Sequence, residues 1–226
     1  MKNLKAYVFA CKDLIQETAS SITMAWKTRH TPYKIQKTET GLILTGYSDS
    51  MTPKALIPSE IAGIPVREIG ARAFLQCEFL EEVRIEDGTE VIGANAFSAC
   101  DRLMKFFMAD SVQTVGRNAF FECKNLFCME LSHSLREIED RAFFGCSGLR
   151  DIALPDSIER IGEQAFYGCN KLKSIHIPLA LKYLPRSAFD GCTALEHIYV
   201  ERGSYADKVL SNSPHFCRKL RYIPRI

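Results

Sequence analysis

Nine cysteines and five histidines are the residues of this chain that do chemistry most readily, as thiolate nucleophiles, redox pairs or metal ligands. Each of those roles needs a spacing. A zinc or redox pair asks for CxxC, and the closest cysteines here, Cys123 and Cys128, have four residues between them. His30, His133, His176, His197 and His215 share no metalloprotease spacing, and GxSxG, Walker A and GxGxxG are all absent from the sequence. The expectation is a chain that is not an enzyme and holds no metal or cofactor. A Cys-His pair assembled in space is the remaining catalytic alternative.

Six of the cysteines keep a fixed interval, and that interval identifies the elements that position them. Cys77, Cys100, Cys123, Cys146, Cys169 and Cys192 recur every 23 residues. So do Phe74, Phe97, Phe120, Phe143, Phe166 and Phe189, and the leucines from Leu80 to Leu195. Beyond each Leu, two apolar positions alternate, as at Val83 and Ile85 or Ile175 and Ile177, which reads as a short strand with one face buried. One such unit has no second layer to bury itself against, so copies must stack, and side chains 23 apart become columns. The cysteine column then belongs to the core and is expected to hold buried, reduced thiols, although neighbouring rungs come near disulfide range. Cys128 lies off this column and is expected to point outward, as the candidate reactive thiol. Gly70, Gly93, Gly116 and Gly162 precede the Ala-Phe pairs and are expected to let the backbone turn where a Cβ would clash, with Glu139 and Pro185 in their place in two copies.

The unit IGxxAFxxCxxLxxIxIPxSVxx, matched best over residues 138–178, resembles the BspA-like leucine-rich repeat. LIPSEIAGIPVREIG at 56–70 resembles that family's irregular first repeat, with GLILTGY at 41–47 as a leading strand and GSYADKVL at 203–210 as a closing segment. The resemblance covers residues 41–212 and implies an α/β repeat fold. Specifically, it implies a right-handed solenoid with a parallel concave sheet of short strands and helical turns on the convex side. Many members of the family are secreted or surface-attached, which implies adhesion to host or matrix proteins.

Three parts follow: an N-terminal amphipathic helix or cap over 1–40, a solenoid of one irregular and six 23-residue repeats over 41–202, and a C-terminal cap over 203–226. Apolar residues from Leu4 to Trp26 follow helical spacing over 3–28, forming a stripe that either docks on the first repeats or meets a second copy or a target. Ser204 with Asp207 resembles a capping box that starts a helix before Pro214. The tail PHFCRKLRYIPRI reads as an edge cover.

Composition narrows the partners. Lys plus Arg number 29 and Asp plus Glu 27, a formal charge of +2, so nothing electrostatic calls for nucleic acid or an anionic membrane. No apolar stretch approaches the ~18 residues needed to span a bilayer. The run Ala6 to Cys11 is shorter than a secretory core, so a cytoplasmic location is expected, with a secreted or cell-surface one as the alternative. The strand pattern turns a column outward on the concave face: Arg84, Phe107, Glu130, Ala153, His176 and Tyr199, flanked by residues such as Cys128 and His197. Of these, Arg84, Phe107, Glu130, His176, Tyr199 and His197 are the candidate partner-binding residues, because interfaces favour aromatic and arginine anchors. A second candidate surface is the stripe of Phe121, Phe144 and Tyr167, whose rings either bury one another or mark a contact site. The expected function is a non-catalytic scaffold that binds a protein partner through its concave sheet. The alternative is a cell-surface adhesin-like repeat protein, and the oligomeric state is open.

Overall fold

The computed structural model describes residues 32–48 and 52–223, so the helix expected over 3–28 lies outside it. The described chain opens on an antiparallel hairpin of β1 (Tyr33–Lys37) and β2 (Leu42–Tyr47). Next come β3 (Lys54–Ile57) and the short hairpin of β4 (Glu60–Ile61) with β5 (Ile64–Ile69). Longer and two-residue strands then alternate: β6 (Glu82–Ile85), β7 (Val91–Ile92), β8 (Lys105–Phe107), β9 (Thr114–Val115), β10 (Cys128–Glu130), β11 (Glu137–Ile138), β12 (Asp151–Ala153), β13 (Arg160–Ile161), β14 (Ser174–His176) and β15 (His197–Glu201). Helix α1 (Tyr205–Ser211) and strand β16 (Leu220–Ile223) complete it.

Every parallel pairing between successive regular rungs joins residues 23 apart, as Cys128 with Lys105, Glu137 with Thr114 and Ser174 with His197. The period is therefore one turn of a solenoid with three faces. The concave face carries β3, β6, β8 and β10 in one sheet and β12, β14, β15 and β16 in another, and the ladder is interrupted between β10 and β12. A second face carries the short strands β5, β7, β9, β11 and β13 in one continuous sheet.

The third face corrects the expected helical turns. Around Phe120, bonds from Ala119 N to Gly116 O and from Phe121 N to Asn118 O close tight local turns. Every second N–H instead crosses to the next rung: Asn118 N to Asp140 O, Phe120 N to Ala142 O and Glu122 N to Phe144 O, at 3.1, 2.8 and 2.7 Å. Asn118 and Glu122 have φ of 54° and 59°, so the backbone alternates between left- and right-handed conformations and cannot continue as a helix. Only the rung at Pro185 replaces this pattern, with a 3-10 turn over Arg186–Phe189. α1 is the one α-helix among the described residues.

The glycines of the repeat also serve a purpose other than turning. Gly93 and Gly116 are not among the residues with positive φ. A Cβ on Gly93 would lie 2.8 Å from Ile69 O, and one on Gly116 2.9 Å from Ile92 O, so glycine is needed for the close approach of the preceding rung.

Inside, the phenylalanines stack in succession, with centroids 5.5 Å apart from Phe97 to Phe120 and 5.2 Å from Phe120 to Phe143, the latter pair inclined by only 1°. Tyr47 covers the first ring, Phe74, at 5.1 Å, and Phe216 closes the last, Phe189, edge-on at 6.4 Å. The cysteine column shows why a thiol suits the corner. Cys100, Cys123 and Cys146 donate S–H to the carbonyls of Phe74, Phe97 and Phe120 at 3.0, 3.0 and 3.1 Å, so each buried thiol proton has an acceptor, on carbonyls that also accept from the amides of Cys77, Cys100 and Cys123. The cysteines of the described residues are free thiols. Burial pushes the Cys123 thiol up to about 12 and raises that of Cys146 as well.

At the C-terminal end Ser204 Oγ accepts from Asp207 N, while Asp207 Oδ2 accepts from Gly203 N rather than from the cap residue itself. The tail does more than cover the edge, since β16 adds a parallel strand to β15. Arg221 then folds back, donating to the carbonyls of Leu220 and Arg218 and blunting the new edge.

Candidate functional site

The outward column of the concave face runs Arg84, Phe107 and Glu130 on β6, β8 and β10, then Ala153, His176 and Tyr199 on β12, β14 and β15. The interrupted ladder divides it into two groups. In the first, the Arg84 guanidinium lies 4.1 Å over the Phe107 ring and its Nε donates to Glu82 Oε1 at 3.1 Å. Lys105 Nζ stands 3.9 Å from the other oxygen of Glu82, so this carboxylate, 7% exposed, sits between two cations. Phe107 is 6% exposed, which corrects the expectation of a bare aromatic anchor: it points away from the core, yet Arg84 covers it. Cys128 is 3% exposed, so it is not the accessible thiol that its off-column position suggested.

Arg84, Phe107 and Glu130 come together along an open groove of about 600 Å³. Its floor includes Leu56, Met108 and Leu131, and its rim includes Glu86, Asp87, Asp110 and His133. Asp110 Oδ1 pairs with His133 Nδ1 at 2.7 Å, and Glu86 Oε2 accepts from Ser59 N at 3.0 Å. These rim residues went unnoticed in the strand pattern because they follow the strands, although Asp87, Asp110 and His133 keep the 23-residue interval. The second group lies apart from this groove. His197 and Tyr199 meet edge-on at 6.1 Å, and His176 stands beside Tyr199 in register.

The convex stripe is a closed stack, with Phe121 on Phe144 at 5.0 Å and Phe144 on Tyr167 at 4.7 Å, both nearly parallel. The rings bury one another, and Tyr167 at the end of the stack is 37% exposed. The second face is occupied by ion pairs between adjacent rungs: Arg67 with Glu90 at 3.1 Å, Arg160 with Glu137 at 3.0 Å and Lys182 with Glu159 at 2.7 Å. Lys182 beside Glu159 holds that carboxyl below its ordinary value. Opposite charges 23 apart in the sequence were the signal for these pairs. Among the described residues no cluster of three or more His, Cys, Asp or Glu side chains is arranged to hold a metal ion. None of the described helices is long and apolar enough to cross a membrane.

A stack of 23-residue rungs with a leucine column, a phenylalanine column and a parallel concave sheet defines a leucine-rich-repeat solenoid. The chain belongs to the BspA-type leucine-rich repeat family, whose pattern matches residues 67–196 and 127–221. The solved structure of a leucine-rich repeat protein from T. pallidum is similar at 31% identity and a TM-score of 0.72, covering 76% of this chain and 80% of that one. A leucine-rich repeat protein from Bacteroides ovatus is similar at 27% identity and a TM-score of 0.66, over 77% of this chain and 47% of its own. A leucine-rich cell surface protein from Faecalibacterium prausnitzii is similar at 26% and 0.61, over 76% and 53% respectively, so the chain spans about half the length of these last two. No curated protein matches the chain.

Proposed function

We propose that the chain is a non-catalytic interaction scaffold that holds a protein partner on its concave sheet. The observation that carries this reading is the groove in which Arg84, Phe107 and Glu130 converge on the concave face. The other two faces are occupied by structure, one by ion pairs between rungs and the other by stacked rings. Membership of a repeat family supports it too, because a solenoid presents an extended concave surface. Arg84 stacked on an aromatic ring is the kind of rigid anchor that interfaces favour. A photo-crosslinking residue placed at Glu130 or His176 should capture the partner, whereas one at Tyr167 should not. Capture from the convex position alone would overturn the assignment of the face.

A second reading is that the chain is a cell-surface adhesin-like protein. What favours it is the similarity to the Faecalibacterium protein described as a leucine-rich cell surface protein. Biotinylation of intact cells with a membrane-impermeant reagent separates the two: the adhesin is labelled, and a cytoplasmic scaffold stays unlabelled until lysis.

A further inference from the structure

The lining of the concave groove is unbalanced in charge. Four carboxylates, Glu86, Asp87, Asp110 and Glu130, face it with one guanidinium, Arg84, in a chain whose formal charge is +2. Arg84 does not neutralise the rim, because it is held by Glu82 and stacked on Phe107. The side-chain carboxylates of Asp87 and Glu130 make no hydrogen bond or ion pair among the described residues. On the second and turn faces, Glu90, Glu137, Asp140 and Glu159 each have a cation on the neighbouring rung. Asp87 and Glu130 thus add unpaired negative charge to a concavity with a partly apolar floor, which focuses their field outward. In the other half of the concave column His176, Tyr199 and Arg221 carry no carboxylate, and the acids there, Asp151 and Glu201, lie at the ends of β12 and β15.

From this, resting on the scaffold reading, we infer that the groove takes a cationic, extended segment of the protein partner. Lysine and arginine suit it in both parts: their methylene stems lie on the floor that includes Leu56, Met108 and Leu131, and their heads reach the rim carboxylates. A polyanion such as nucleic acid is repelled by the same rim. A bare metal ion is a poor fit, since no three ligands converge among the described residues.

The test uses the whole chain and a fluorescein-labelled peptide alternating lysine and leucine, read by fluorescence anisotropy, with a glutamate and leucine peptide as counter-probe. The lysine peptide should bind and the glutamate peptide should not. The double variant Asp87→Lys, Glu130→Lys should weaken binding about tenfold or more, and Glu130→Gln alone should weaken it by a smaller factor. Asp140→Lys with Glu159→Lys, on the second and turn faces, should leave it within about twofold. Equal binding of both peptides, or affinity indifferent to the rim variants, would overturn the inference. So would a dimer of the chain that dissociates in the Asp87→Lys, Glu130→Lys variant, since the groove would then belong to a second copy. If substitution of Phe107, His176 and Tyr199 by Ser abolishes partner capture while the rim variant retains it, the scaffold reading stands and the cationic segment alone is rejected.

Discussion

Phe120 and Phe121 are adjacent in sequence and opposite in structure. Phe120 is fully buried between two parallel rings, so Phe120→Ala should cost on the order of 3 to 5 kcal/mol. Phe121 lies half-buried against Phe144, and Phe121→Ala should cost only about 1 kcal/mol. Denaturant unfolding of the two variants checks this, and equal losses would mean that the inner and outer columns are exchanged. The cysteine column makes a prediction about pH. The Cys123 thiol is raised from 9.0 to about 12 by burial, so its stabilising contribution is intact below pH 9 and is lost as pH rises from there towards 12. Between those limits the unfolded chain gives up a proton that the folded chain keeps, at about 1.4 kcal/mol per pH unit for each such thiol. Stability to urea should therefore fall steeply above pH 9, and Cys123→Ala should flatten the dependence. That these residues form columns was legible from the interval alone. The thiol hydrogen bonds were not, because their acceptors are main-chain carbonyls 26 residues earlier, which no side-chain pattern records.

At the scale of the element, the strands were legible and the turns were not. Alternation at Val83 and Ile85 or Ile175 and Ile177 marks a strand wherever one face is buried. The helical turns that the family resemblance implied for segments such as Gly116 to Cys123 do not form, because every second amide there serves the next rung instead of its own. The cost of that arrangement falls on residues held at positive φ. Ala99, Glu122, Gly145, Gly168 and Gly191 occupy one column, and all five have φ between 55° and 74°. Glycine relieves the strain of about 1 to 2 kcal/mol that a Cβ brings there, less what its greater freedom in the unfolded chain takes back. Ala99→Gly should accordingly raise stability by about 0.5 to 1 kcal/mol, and Gly168→Ala should lower it by a similar amount, both read from melting temperatures. A loss of stability on Ala99→Gly would show that the side chain contributes packing that outweighs the strain.

Over the whole molecule, stability is the sum of nearest-neighbour interfaces between rungs, closed by Tyr47 at one end and Phe216 at the other. The solenoid and its C-terminal helix could be read from the chain, whereas the antiparallel strand Tyr33–Lys37, four of whose five residues are exposed, gave too little apolar pattern to be seen. The candidate site was legible in its column and not in its depth. Phe107 was placed on the correct face, but its cover by Arg84 depends on two side chains from different rungs. The rim at Asp87, Asp110 and His133 becomes visible only once the loops after the strands are stacked. The claim that the concave sheet is the docking face is tested most directly by affinity capture with two triple variants, each first shown to be folded by its melting transition. Substitution of Phe107, His176 and Tyr199 by Ser should abolish recovery of the partner, while substitution of Phe121, Phe144 and Tyr167 by Ser should leave it intact; the opposite result would contradict the account.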